Sequence, residues 1–132
     1  MNLFKGVIQS VETYKSLSLV KIEIQSIVVN TIVMETPKTV AYLEEGKEIH
    51  VMFKETEVLI GKGTEHTALS IQNRIEGKIV KIEKGKLLSK IALLTVIGEL
   101  RAVITTQVLY QMELRIGEKV TAMIKTNEIM LS

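Results

Sequence analysis

The chain has 132 residues, 46% hydrophobic and 24% charged, with a formal net charge of +2 and a sequence pI near 8.8. That length holds one ordinary domain or two very small ones, and the charge falls far short of the dense Lys/Arg clustering of a nucleic-acid binder. Cysteine is absent, which excludes disulfides and thiolate chemistry.

Strands are predicted at Leu3 to Glu12, at Leu19 to Gln25 and at Ile27 to Met34; the second alternates apolar with polar residues, the signature of a strand with one buried face. Thr36 and Pro37 then open a short predicted helix running to Leu43, because Thr caps free amides and Pro tolerates the first helical turn. Gly46 ends the turn after it, and Ile49 to Lys54 and Glu57 to Ile60 complete the set. A polar connector with two glycines, Gly61 to Thr67, follows. Beyond it the order recurs: strands at Arg74 to Glu83, Leu87 to Ile97 and Leu100 to Thr105, a helix around Gln107 to Leu114, a turn at Gly117, and strands at Lys119 to Thr126 and Glu128 to Leu131.

The recurrence is a true repeat. A shift of 71 residues, the distance from Asn2 to Asn73, lays the first copy on the second without a gap and superposes Gly6 on Gly77, Leu43 on Leu114, Gly46 on Gly117 and Lys54 on Lys125. The expected division is a first repeat at 1–61, a connector at 62–69 and a second repeat at 70–132. Five short strands and one short helix per repeat suit an all-β chain of two tandem OB-like Greek-key barrels, whose closure hides strand edges. Copies this small are expected to lean on each other.

Catalytic constellations are missing. His50 and His66 stand apart, Gly61 and Gly63 lack the Lys-Ser/Thr of a phosphate loop, and no nucleophile motif occurs, so no enzyme and no cofactor are expected. The longest apolar stretches, Ile27 to Met34 and Ile91 to Ile97, are too short for a bilayer of about 30 Å. The N-terminus also lacks the charge-then-apolar pattern of a signal peptide, so a cytoplasmic protein without a membrane partner is expected. Aromatic residues are 4% of the chain and scattered, which disfavours the stacking platform of a nucleic-acid-binding barrel.

Two segments of the second copy carry oxyanion chemistry: Ser70-Ile71-Gln72-Asn73 and Ile124-Lys125-Thr126 bring hydroxyls, an amide, a cation and backbone N–H groups. A tetrahedral dianion carries no proton and is held by converging donors and cations. The stretches Ser70 to Gly77, Glu99 to Thr105, Gly117 to Lys125 and Glu128 to Leu131 resemble the molbindin, or Mop, domain of the TOBE family, with its Ser-Ala-Arg-Asn-like opening and its Lys-Ser pair near the end. The ungapped first copy makes the whole chain similar to a tandem, di-Mop protein.

The resemblance implies non-catalytic binding of molybdate or tungstate for storage, buffering or sensing, in a homo-oligomer that is a trimer or dimer of tandem chains. It implies an oxyanion site at Ser70, Ile71, Gln72, Asn73, Lys125 and Thr126, and a degenerate second site at Asn2, Lys54 and Thr56. Two departures stand against it. Gln72 replaces the family's arginine, and Glu55 puts a carboxylate where Thr126 falls in the second copy. They support the alternative of a ligand-free structural module, or a regulatory one equivalent to the effector half of a molybdate-responsive regulator.

Overall fold

In the computed structural model, which describes every residue except Glu65, the chain runs through ten strands among the described residues. The first repeat supplies β1 (Asn2–Tyr14), β2 (Leu17–Ile24), β3 (Ile27–Val33), β4 (Glu48–Phe53) and β5 (Leu59–Gly61). The second supplies β6 (Asn73–Lys84), β7 (Leu88–Thr95), β8 (Gly98–Thr105), β9 (Lys119–Ile124) and β10 (Met130–Leu131). Along β2, Ser18, Val20, Ile22 and Ile24 are buried while Lys21 and Glu23 face water, as a pleated strand with one wet face requires. Both long first strands bulge at the same place, between Ile8 and Ser10 in β1 and between Ile79 and Lys81 in β6. A bulge bends its strand, which here lets one strand serve two neighbours.

The turn before the fourth strand of each repeat closes over that bulge. Gly46 N–H donates to Ile8 O at 2.8 Å, and Gly117 N–H donates to Ile79 O at 2.7 Å. Their φ values of +85° and +93° lie in the left-handed region, where a Cβ is penalised, which explains why glycine recurs at this position.

Among the described residues one α-helix forms, α1 (Thr106–Gln111), with the Thr105 hydroxyl accepting from Val108 N at 3.2 Å. The helix expected at Thr36 to Leu43 in the first repeat does not form, which corrects the expectation of one per repeat. There Thr39 N and Val40 N both donate to Thr36 O, at 2.9 and 3.0 Å, and the chain continues in turns. Thr39 also binds the backbone with its side chain, accepting from Thr36 N at 2.8 Å and donating to Thr36 O at 3.0 Å. Such local bonds compete with helix propagation. The second repeat has Leu109, Gln111 and Met112 in this region, unbranched at Cβ and better suited to a helix.

The two sheets do not follow the repeat boundary. Their strand orders are β10-β4-β1-β2-β3 and β5-β9-β6-β7-β8, so each takes its fifth strand from the other repeat. Met130 pairs with Met52 and Leu131 with Val51 on β4, while Leu59 pairs with Met123 and Ile60 with Ala122 on β9. Buried residues from both repeats, among them Ile22, Val51, Phe53, Ile79, Leu93 and Ile124, belong to one hydrophobic cluster. Phe53 is fully enclosed and stacks on Phe4 with ring centroids 5.9 Å apart. No helix among the described residues is long and apolar enough to cross a membrane.

Candidate functional site

The strand register brings the two candidate segments of the second copy to one end of the sheet. Asn73, the first residue of β6, lies opposite Ile124, the last residue of β9. Gln72 immediately precedes that pair and Lys125 immediately follows it. Ser70, Gln72 and Lys125 are exposed, and Ile71 and Thr126 are half-buried. Lys125 leads into a single 3-10 turn, Thr126–Glu128, which lies against β3 of the first repeat.

Asn73 is buried and its amide is engaged. Its Oδ1 accepts from Asn30 N at 2.7 Å and its Nδ2 donates to Asn30 O at 2.8 Å. The side chain thus acts as one more rung of ladder along the free edge of β3. Asn2 does the same on β8, accepting from Arg101 N at 2.8 Å and donating to Arg101 O at 2.9 Å. Each asparagine therefore joins its own repeat to the other.

Thr31, which neighbours Asn30 and is fully buried, donates its hydroxyl to Thr126 O and Ile129 O, both at 3.0 Å. The first repeat thereby holds the turn that carries Thr126. Sequence reasoning did not single out Asn30 and Thr31. Their signal is a polar pair within the otherwise apolar run from Ile27 to Val33.

Arg74 does not supply the missing guanidinium charge. It folds back over the connector, donating to Ile71 O at 3.0 Å, Thr67 O at 2.7 Å and Leu69 O at 2.8 Å. Those three bonds fix the course of the segment leading to Ser70.

At the equivalent place in the first copy, Lys54 and Thr56 are exposed and Glu55 is largely enclosed, with 13% of its side chain accessible. The Met1 ammonium lies 2.9 Å from Glu55 Oε2, and Lys90 Nζ, from β7, lies 3.4 Å from Oε1. The hydrogen bond from the Met1 ammonium holds the Glu55 carboxyl below the ordinary glutamate range; burial opposes this and Lys90 reinforces it. The position under Thr31 in the first copy falls on Ala102 in the second, so no hydroxyl anchors the turn that carries Glu55.

The TOBE domain family model matches residues 69–131, which is the second repeat. No curated protein sequence matches the chain. Among solved structures, the cytoplasmic molybdate-binding protein ModG with molybdate bound is 24% identical and superposes with a TM-score of 0.92 over 99% of this chain and 94% of its own. A molybdate-binding protein from Sporomusa ovata is 34% identical over 45% of this chain and 88% of its own, with a TM-score of 0.43. MopII from Clostridium pasteurianum is 24% identical over 44% of this chain and 88% of its own, with a TM-score of 0.42. The superposition on ModG spans both repeats and has the same tandem OB-like architecture.

Proposed function

We propose that this chain, whose residues 69–131 match the TOBE domain, is a tandem Mop protein that binds a tetrahedral oxyanion, molybdate or tungstate, as a non-catalytic store, buffer or sensor in the cytoplasm. The observation that carries this reading is the register at the end of the second sheet. Asn73 stands opposite Ile124, so Gln72 and Lys125 each lie one residue beyond that pair at the same end of the sheet, which supports a site drawn from the segments that hold them.

The set suits its guest chemically. Hydroxyls of Ser70 and Thr126, the Gln72 amide and backbone N–H groups donate without bringing a carboxylate, and Lys125 supplies positive charge. The anion takes up donors that are otherwise turned to water, and no bond is made or broken. Copies of the chain are proposed to assemble as trimers or dimers, with the exposed donors of one chain covered by another. Such cover would remove competing water and strengthen each charge-assisted bond.

Calorimetric titration with molybdate, tungstate, sulfate and phosphate tests the reading. The parent is expected to release heat with molybdate or tungstate, and Lys125→Ala to lose most of that signal. Silence with every anion would remove oxyanion binding and favour a purely structural module. Consumption of the Asn73 amide between the repeats, together with Gln72 in place of arginine, is what supports that second reading.

A further inference from the structure

The same shift that relates the repeats shows where the first copy's site went. Glu55 stands at the position of Thr126, and Met1 at the position of Gln72. In space the two oxygens of the Glu55 carboxylate are divided between two cations, Oε2 to the Met1 ammonium at 2.9 Å and Oε1 to Lys90 at 3.4 Å. Lys90 falls on Leu19 under the shift, so this cation has no counterpart in the second copy. The turn Glu55–Glu57 lies against β8, and Asn2, the partner of Asn73 under the shift, is fastened to Arg101 of that same strand. The asparagine fastening and the seat of the turn on the other repeat are therefore kept in both copies, although the Thr31 hydroxyl is replaced by Ala102.

We infer that the first repeat retains an oxyanion site and that the Glu55 carboxylate occupies it as a built-in guest. An enclosed carboxylate held by two cations is, electrostatically, a bound anion that cannot leave. It satisfies the cations and bars a dianion, whose charge it would repel. Without the carboxylate, the Met1 ammonium and Lys90 would face one vacated position, with Glu83 a remaining carboxylate near Lys90 and with Lys54 and Thr56 adjacent in the chain. The ligand class is a tetrahedral oxyanion, for which molybdate and sulfate are the probes. This deepens the reading of the fold as an oxyanion binder but is counted separately from the second-copy site.

The test is Glu55→Thr in the full chain, titrated by calorimetry with molybdate and with sulfate beside the parent. The variant is expected to bind one more anion per chain than the parent, whatever the parent's own number. That extra equivalent is expected to vanish in Glu55→Thr combined with Lys90→Ala. If Glu55→Thr fails to fold, the isosteric Glu55→Gln replaces it, read by an anion-dependent rise in melting temperature larger than the parent's at the same anion concentration. An unchanged stoichiometry in a folded Glu55→Thr chain, or an unchanged melting response in folded Glu55→Gln, would overturn the inference. A parent that binds nothing beside a variant that binds one anion would sink only the second-copy site.

Discussion

The side-chain amide of Asn73 pairs with both backbone groups of Asn30, a residue of the other repeat, through bonds of 2.7 and 2.8 Å. Asn2 and Arg101 repeat the arrangement across the molecule. A strand edge needs a donor and an acceptor side by side, and a primary amide offers both in the right plane.

Replacing Asn73 by Ala removes two bonds and leaves the part-buried N–H and C=O of Asn30 without their protein partner. The expected loss is about 2–4 kcal/mol of folding stability, read from urea unfolding midpoints at unchanged slope. Asn2→Ala is expected to cost a similar amount, because its geometry is equivalent. A loss below about 0.5 kcal/mol for both would mean that water replaces the amides without penalty.

Exchange of the end strands predicts a displaced effect of truncation. Deleting Met130 to Ser132, at the end of the second repeat, strips the partner from β4 of the first, where His50 N–H donates to Ser132 O at 2.9 Å. Amide exchange is expected to accelerate at His50, while β9, paired with β5 and β6, keeps its protection. Faster exchange confined to the second repeat would contradict the exchanged topology.

Gln72→Arg restores a permanent charge and a donor fork beside Lys125. A charge-assisted bond contributes about 1.5–3 kcal/mol against about 1 for a neutral one, so molybdate or tungstate is expected to bind roughly tenfold more tightly. Weaker binding by this variant would place residue 72 away from the ligand.

The lowered pKa of Glu55 predicts part of the acid sensitivity. Its folded value lies below the unfolded one, ordinarily about 4.3. The contribution to stability is therefore complete above that unfolded value and is lost as pH falls through the folded value. Stability curves measured from pH 7 down to pH 3 are expected to be flatter at the acid end for Glu55→Gln than for the parent. Parallel curves would mean that the Met1 and Lys90 contacts contribute nothing in solution.

Much of the fold was legible because it rests on local rules. Alternation located the strands, and the glycines at 46 and 117 marked turns that require a left-handed backbone. The helix from Thr36 was misread because a cap and a proline signal only a beginning; propagation depends on residues such as Thr39, whose hydroxyl turns back on the backbone. Strand exchange was not legible for a deeper reason. Ladder bonds are made by backbone groups, and β5 and β10 occupy equivalent positions in the repeat, so pairing within a copy and across copies look alike from side-chain patterns. For the same reason Asn73 was read only as a ligand donor, since an amide that binds an anion and one that seals a strand edge have one chemistry. The charge cluster at Glu55 was half visible. The carboxylate was evident from the shift, but Lys90 approaches it from a strand of the other repeat.

Covalent joining of the two copies has a chemical consequence for evolution of the sites. In an assembly of identical single-copy chains, any residue placed at this position recurs in every copy, so a carboxylate here would stand at every equivalent turn at once. Tandem duplication lifts that constraint: one copy can carry glutamate and a private counter-ion, the other threonine, and each can drift toward its own task while the shared architecture stays intact.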